Sequence, residues 1–165
     1  GCASGEEPYT LALVWDFVVQ QDYPDVEIQI IAADVDDTLL GRAKRACYTK
    51  SSLKELSGEW LDRAFTRRGN TYCLAPGFRG KVNFFPLDIR QGVPAGPFDM
   101  VLCRNLAFTY FDMDLRKKIL EWIQDSLFEG GALVLGIHES LSDAVTGFCP
   151  WIPDMRIYRK YTDKG

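Results

Sequence analysis

The chain has 165 residues, 47% of them hydrophobic and 25% charged, and carries a formal net charge of −4 at pH 7. This length suffices for one well-buried core and most simply for a single domain, and the negative charge argues against a general nucleic-acid binder. No apolar run reaches the roughly 18 residues of a membrane span and no signal peptide is seen, so we expect a cytoplasmic protein.

The first segment is GCASGEEPYTLAL, Gly1 to Leu13, a small-residue turn that leads into two carboxylates. A phosphate-binding loop combines such a turn with a basic side chain, whereas Glu6 and Glu7 would repel a phosphate. The turn therefore favours a ligand with a cationic group beside a polar one, such as an amino acid. Pro8 is tolerated in a first helical turn, and apolar residues at three- and four-residue spacing predict a helix from about Glu6 to Asp22.

Strand and helix signals alternate along the rest of the chain. Short apolar or β-branched runs predict strands, and apolar residues at helical spacing predict the helices between them. In the first half of the chain we predict a strand over Glu27–Asp34, then helices through LLGRAKRA and LKELSGEWLDRAF, and then two strands around a Pro-Gly turn in a short hairpin-like region at about 71–88. In the second half we predict the strand FDMVLCRN, the helix DLRKKILEWIQDSLF and the strand ALVLG after Gly130-Gly131. The segment MRIYRKY is predicted to be an antiparallel edge strand. This alternation implies an α/β fold with a mostly parallel, doubly wound sheet.

Ligands of such a sheet bind outside the carboxyl ends of its strands, and the residues that end these strands are polar. Asp34 ends the second strand of the expected fold, where an acid can accept hydrogen bonds from ribose hydroxyls, and Arg104 and Asn105 end the fourth. Each also has a structural interpretation, because Asp34 can cap a helix, Arg104 can form a surface ion pair and Asn105 can sit in a turn. A nucleoside joined to an amino acid fits both ends of the site, and S-adenosylmethionine (SAM) is such a molecule.

The five cysteines are scattered and form no C-x-x-C pair. Reduced, mostly buried thiols are therefore expected, as in other cytoplasmic proteins. Because His138 is the only histidine, we expect no zinc site and predict no metal ligands.

Several segments together resemble the chemotaxis receptor methyltransferase (CheR) family: GCASGEEPYTLAL, AADVD with RAKRACY after it, PFDMVLCRN with YFD after it, and EGGALVLGIHESL. These segments occur in the same order along essentially the whole chain. The family consists of SAM-dependent enzymes that esterify glutamate side chains of receptors. The resemblance implies a Rossmann-like class I methyltransferase fold, SAM as the cofactor and a protein substrate that presents glutamate side chains, with no nucleic-acid partner and no membrane insertion.

The resemblance also implies a role for individual residues. Cofactor contacts fall in the opening turn, at the ribose, beside the adenine and at the methionine end, and two residues are expected to be catalytic. The expected cofactor-binding residues are Gly1, Cys2, Ala3, Gly5 and Glu7 in the turn, Asp34 at the ribose, Asp88 and Ile89 beside the adenine, and Arg104 and Asn105 at the methionine end; the expected catalytic residues are Tyr110, near the transferred methyl group, and Arg104.

The chain departs from the family pattern at three places. The family has a β-strand directly before the glycine turn and a helical N-terminal domain before that strand, and neither precedes Gly1 here, so we expect an N-terminally incomplete catalytic domain over residues 1–165. Asp88 replaces an asparagine that is usual in the family. The run RNLAFTYFD has one residue more than usual, which leaves open whether Phe108 or Tyr110 takes the place of the family's tyrosine.

Three hypotheses follow for the function. The first is methylation of a protein glutamate carboxylate, as the resemblance implies. The second is methylation of a small molecule or another polymer on the same scaffold, which the short region from Thr71 to Phe85 encourages because the family holds receptors with an inserted β-subdomain there. The third is a non-catalytic SAM-binding module.

Overall fold

The computed structural model describes residues 1–141 and 147–161. The chain divides into two units, Cys2–Pro86 and Leu87–Gly165, and Gly1 groups with the second of them. We call these the N-terminal unit and the C-terminal unit. Each has a hydrophobic core of its own.

The N-terminal unit contains a parallel strand pair and a separate antiparallel sheet. Its elements are α1 (Glu6–Phe17), β1 (Ile30–Asp34), α2 (Asp37–Arg45), β2 (Cys47–Thr49), α3 (Gly58–Ala64), β3 (Phe65–Arg68), β4 (Thr71–Leu74), α4 (Pro76–Arg79) and β5 (Val82–Pro86). Strands β1 and β5 pair in parallel with Asp34 opposite Pro86. Strands β2, β4 and β3 form a three-stranded antiparallel sheet in that order. The core of this unit includes Leu13, Ala32 and Leu74.

Helix α2 shows how local sequence sets the bounds of an element. The carboxylate of Asp36 accepts hydrogen bonds from the backbone N–H groups of Thr38 and Leu39, which leaves two fewer unpaired donors at the helix start. Basic side chains in its last turn interact favourably with the negative end of the helix dipole. The helix therefore begins at Asp37, two residues before the apolar run from which it was predicted.

The C-terminal unit contains one mixed four-stranded sheet. Its elements are β6 (Phe98–Cys103), α5 (Ala107–Tyr110), α6 (Met113–Ser126), β7 (Leu127–Leu135), β8 (Phe148–Ile152) and β9 (Ile157–Lys160). The strand order is β6-β7-β9-β8, with β6 and β7 parallel and the other neighbours antiparallel. Helix α6 packs Ile119 and Ile123 into a core with Leu133 of β7.

The predicted α/β class is confirmed, with parallel pairing limited to two strand pairs and antiparallel pairing between all other neighbouring strands. Two parallel pairs, β1 with β5 and β6 with β7, place the polar residues that follow β1 and β6 at the carboxyl ends of parallel strands. Among the described residues, no helix combines the length and the apolar character that crossing a membrane requires.

Three predicted elements need correction. The helix predicted through LKELSGEWLDRAF begins only at Gly58, because the Ser57 hydroxyl caps it by accepting from the Trp60 N–H. The region at 71–88 is no hairpin, since Pro76 and Gly77 open the short helix α4, and β4 and β5 belong to different sheets. The last strand, β9, is not at the edge, because β8 pairs with it on the side away from β7.

The expectation of five reduced thiols is wrong for one pair. Cys47 of β2 lies directly opposite Cys73 of β4 and is joined to it by a disulfide. The two residues are far apart in the sequence, and only the antiparallel pairing of their strands brings them together. Of the other three cysteines, Cys103 is buried, Cys2 is half-buried and Cys149 is exposed.

Candidate functional site

The opening turn of the N-terminal unit is held by left-handed backbone and close packing. Gly5 precedes α1 with φ of 87°, a conformation that side-chain-bearing residues rarely adopt. A Cβ on Gly5 would lie 2.9 Å from the Cβ of Ala43, so a larger residue would also push α2 away from the turn. Ala3 has φ of 47° as well, and this orientation aims its N–H at Asp34.

Asp34 binds the opening turn to the end of β1. Its Oδ2 accepts a hydrogen bond from the Ala3 N–H at 2.8 Å, and its Oδ1 accepts one from the Asp36 N–H at 3.0 Å. The residue is 9% exposed. Each carboxylate oxygen has two lone pairs, so each retains one acceptor site beyond these bonds. Asp36, and not Asp34, caps α2, so the capping interpretation of Asp34 is wrong.

Two buried tyrosines that the sequence did not mark as site residues donate hydrogen bonds to the turn and to the adjacent helix α2. The Tyr48 hydroxyl donates to the Ser4 carbonyl at 2.8 Å, and the Tyr9 hydroxyl donates to the Ala43 carbonyl at 3.1 Å. Burial raises the pKa of Tyr9 to about 12 and also raises the pKa of Tyr48, so both hydroxyls stay protonated donors. No local pattern marks them, because their partners lie more than 30 residues away.

The remaining turn residues occupy different positions. The Cys2 N–H donates to the Ala33 carbonyl at 2.9 Å, and burial raises the pKa of the Cys2 thiol. Glu7 is half-buried in the first turn of α1. Gly1 groups with the C-terminal unit, where a Cβ would lie 2.8 Å from Leu106 Cδ2.

In the C-terminal unit, Asp88 is engaged by a neighbouring cation. The Arg90 guanidinium donates to both carboxylate oxygens of Asp88, at 2.9 Å to Oδ1 and 2.6 Å to Oδ2. These hydrogen bonds lower the pKa of Asp88. The carboxylate is thus fixed in orientation, while Ile89 packs against the core of the unit.

The segment after β6 is organised around a buried carboxylate, Glu139. Its Oε2 accepts from the N–H of Asn105 at 2.8 Å, and its Oε1 accepts from the N–H of Leu106 at 3.2 Å and the hydroxyl of Thr109 at 2.6 Å. Asn105 has φ of 52°, in the left-handed region. Arg104, the residue before it, is exposed. The sequence analysis predicted Arg104 and Asn105 as site residues and did not include Glu139.

The two aromatic residues that the sequence left as alternatives differ in exposure. Phe108 is 8% exposed and belongs to the core, whereas Tyr110 is 74% exposed at the end of α5. Of the two, only Tyr110 has a side chain that is accessible from outside the core. The Cys103 thiol at the end of β6 is buried, and burial raises its pKa to about 11, so it is not a ready nucleophile.

The structure thus brings together two groups of predicted residues, each within one unit. In the N-terminal unit, Ala3 meets Asp34 beside the turn that holds Cys2 and Gly5. In the C-terminal unit, residues 104–110 form one short segment with Tyr110 exposed at its end. Across the described part of the chain, no three His, Cys, Asp or Glu side chains group as metal ligands would.

One family of methyltransferases matches the chain, both by its family model and by individual relatives. The model of the family described as "CheR methyltransferase, SAM binding domain" matches residues 1–151. The chain is 33% identical over 147 residues to chemotaxis protein methyltransferase 1 of Pseudomonas aeruginosa, which covers 86% of this chain and 53% of that protein. It is 31% identical over 140 residues to the chemotaxis protein methyltransferase of Listeria monocytogenes, covering 85% of this chain and 52% of that protein.

The chain therefore spans about half the length of the curated relatives that it matches. Among solved structures, it is similar to the [4+2]-cyclase SpnF, at 18% identity and a TM-score of 0.48 over 94% of this chain and 43% of that one.

Proposed function

The chain belongs to the CheR methyltransferase family, through the part of that family described as its SAM-binding domain, and from this membership we propose that it binds SAM and transfers the methyl group to a glutamate side chain of a receptor protein. The observation that carries the proposal is the family match over residues 1–151. The names of the curated relatives, which are chemotaxis protein methyltransferases, support a receptor as the methyl acceptor.

The donors and acceptors of the chain fit the chemistry of SAM. Asp34 keeps one free acceptor site on each oxygen at the carboxyl end of β1, which suits two neighbouring ribose hydroxyls. Glu7, in the acidic first turn of α1, suits the ammonium group. At the end of β6, Arg104 suits the cofactor carboxylate and Asn105 offers an amide. We assign Asp88 and Ile89 to the adenine, with Asp88 as the acceptor for its amino group in exchange for one of the hydrogen bonds from Arg90.

When bound, SAM supplies an electrophilic methyl group, whose bond to sulfur breaks with both electrons passing to sulfur as an acceptor oxygen bonds to the carbon. A glutamate acceptor needs no general base, since an unperturbed glutamate with a pKa of about 4.3 is ionised at pH 7. The contribution of the chain is therefore orientation and exclusion of water. Holding reacting groups in line accounts for roughly 7–11 kcal/mol in well-oriented systems.

Tyr110 and Arg104 carry the catalytic part of the proposal. Tyr110 has an exposed phenol that can orient the acceptor carboxylate by donating a hydrogen bond. Arg104 lies six residues before it and can hold the methionine end of the cofactor, so that the methyl group points toward the acceptor. Neither residue needs to change its protonation state in this scheme.

The antiparallel sheet of the N-terminal unit favours a protein acceptor over a small molecule. The family resemblance places a receptor-holding β-subdomain in this part of the chain. Of the three antiparallel strands only β4 lies within Thr71–Phe85, but it pairs with β2 and β3, which precede that region, and the Cys47–Cys73 disulfide joins it to β2. The small-molecule hypothesis depended on the shortness of the region from Thr71 to Phe85, and a sheet that also includes residues before Thr71 supports the protein acceptor instead.

Two experiments on the full-length protein test the proposal. A thermal melt with the demethylated cofactor, S-adenosylhomocysteine (SAH), should raise the melting temperature, because a ligand at about 100 times its Kd adds roughly 2.7 kcal/mol of stability. SAM carrying a labelled methyl group should then leave label on a chemoreceptor that base releases as methanol. Stable label on a metabolite would instead indicate a small-molecule acceptor, and SAH binding without any transfer would indicate a binding module.

A further inference from the structure

The carboxylate of Glu139 is a four-fold acceptor buried between two strand ends. Besides the N–H groups of Asn105 and Leu106 and the hydroxyl of Thr109, it accepts the N–H of Gly136 at 2.8 Å. Glu139 is 3% exposed. An ionised carboxylate offers about four acceptor sites, so these four donors use its full capacity.

All four of these donors are uncharged, which makes the site unlike an ion pair. Burial alone would raise the pKa of Glu139, but its hydrogen bonds together outweigh that effect and hold the pKa below its usual value. The group therefore remains an anion at neutral pH, and as an anion it can accept from every donor around it at once. A neutral side chain in the same place cannot do this.

The geometry around Glu139 fixes the backbone that follows β6. Asn105 is in the left-handed region, and Leu106 has φ of −136° and ψ of −92°, so two successive residues leave regular backbone conformations. Their adjacent N–H groups both point at Glu139. Such a conformation persists only where its surroundings determine it.

The backbone at the end of β7 also packs closely against the Glu139 carboxylate. Gly136 directly follows β7, and a Cβ there would lie 2.8 Å from Glu139 Oε2 and closer still to the Asn105 side-chain oxygen. The Glu139 N–H in turn donates to the Gly136 carbonyl at 2.9 Å, which sets the turn that presents the carboxylate. Residue 136 must therefore be glycine for Asn105 and Glu139 to approach as they do.

We propose that Glu139 is the positioning residue of the methyl-transfer site, and that its carboxylate sets the placement of the segment Arg104–Tyr110. Glu139 would act without touching cofactor or acceptor, by holding the backbone of Asn105 and Leu106 and, through Thr109, the helix α5 that ends at Tyr110. This inference rests on the proposed function. A displacement of about 1 Å in such a segment can cost on the order of a hundredfold in rate.

Glu139→Gln is the sharpest substitution because it is nearly isosteric. In either orientation of the amide, its NH2 group faces at least one backbone N–H that the carboxylate oxygen accepted. We expect kcat for methyl transfer in the full-length protein to fall about ten- to a hundredfold. The KM for the acceptor should change much less, because Glu139 itself does not touch the acceptor in this proposal and the antiparallel sheet β2-β4-β3, which is proposed to hold the receptor, is unaltered.

Ile123→Val is the matched control for stability. Ile123 is buried in the same unit, on α6, and losing one methylene there costs stability while all four hydrogen bonds to Glu139 keep their donors. Assayed at a temperature where all variants are folded, Ile123→Val should keep kcat within about twofold of the parent. Equal kcat losses in Ile123→Val and Glu139→Gln would overturn the positioning role.

Thr109 supplies a second test in case Glu139→Gln fails to fold. Thr109→Val removes only the hydroxyl that donates to Glu139 Oε1, and Thr109→Ser retains it. We expect a partial fall in kcat for Thr109→Val and near-parental kcat for Thr109→Ser. Equal kcat in the two variants would overturn the inference.

The parent protein in the same assay separates the two proposals. If it transfers no methyl group to a receptor, the proposed function fails and the positioning role fails with it. If the parent is active and Glu139→Gln matches it in kcat, only the positioning role is wrong.

Discussion

Asp34→Asn is expected to weaken binding of SAH about ten- to a hundredfold. The substitution preserves the shape of the side chain but removes its charge and one of its two acceptor atoms. If Asp34 accepts from a ribose hydroxyl, the lost charge-assisted hydrogen bond is worth roughly 1.5–3 kcal/mol, which corresponds to that range in Kd. The measurement is isothermal titration of SAH into the full-length protein.

The same substitution also has a cost in stability that the structure lets us estimate. Asp34 accepts the N–H groups of Ala3 and Asp36, and an asparagine amide leaves one of these without an acceptor, at roughly 1–3 kcal/mol. Alanine would leave both N–H groups unpaired, so Asp34→Ala is a poorer test of the ribose role. We therefore expect a lower melting temperature for Asp34→Asn in the absence of ligand.

Asp36→Ala is the control that separates the two effects. It removes the cap of α2 and costs roughly 0.5–2 kcal/mol of stability, but it leaves the Asp34 carboxylate in place. Its affinity for SAH should stay near the parental value. Parental affinity in Asp34→Asn, or an equal loss of affinity in Asp36→Ala, would refute the assignment of Asp34 to the ribose.

Three further predictions concern other parts of the chain. Tyr110→Phe should lower kcat with little change in SAH affinity, whereas Phe108→Ala should lower the free energy of unfolding by about 3–5 kcal/mol, as chemical denaturation would measure. Reduction of the Cys47–Cys73 disulfide, whose cysteines are 26 residues apart, should lower stability by about 3–4 kcal/mol, and a melt with and without dithiothreitol checks this. The pKa of Glu139 is lower in the folded chain than in the unfolded one, so the ionised carboxylate stabilises the fold above the ordinary glutamate pKa, and this stabilisation is lost as the pH falls through the lowered pKa. Between pH 7 and pH 3, the melting temperature should therefore fall more steeply for the parent than for Glu139→Gln.

Much of the fold was predictable because its signals are local. Apolar spacing and the Pro8 position predicted α1, which ends at Phe17 and not at Asp22, and the run DLRKKILEWIQDSLF predicted α6. Both helices need only neighbouring residues to define an apolar face and a start. The strands β1 and β6 were predicted for a similar reason, since each is a short apolar run that ends in polar residues.

The errors arose where pairing partners are distant in sequence. A Pro-Gly pair between two strand-like runs looks like a hairpin turn, but β4 finds its partners in β2 and β3, and β5 pairs with β1. The same pairing put Cys47 opposite Cys73, which no spacing rule predicts. The tail strand was predicted at an edge because β8, with Pro150 in it and a register shift between Pro150 and Ile152, carries a weak strand signal.

The candidate site likewise contains residues that local motifs predicted and one residue that only the structure revealed. Motifs predicted Asp34, Arg104 and Asn105, because their chemistry follows from residue type and from a place at a strand end. Glu139 needed the structure, since its importance depends on four donors from two segments, residues 105–109 and Gly136. Its only signal in the sequence was an acid a few residues after the predicted strand ALVLG.

The distribution of the cysteines offers a means of attaching a probe to the C-terminal unit. With Cys47 and Cys73 joined and Cys103 buried, only Cys149 on β8 combines a free thiol with an exposed side chain in the described structure. A maleimide dye at neutral pH should therefore react there first, with half-buried Cys2 slower because burial raises its thiol pKa. Conjugation with a limiting amount of dye under non-reducing conditions would give a fluorescent protein with Cys2 and the other predicted site residues unmodified, suited to titration with unlabelled receptor.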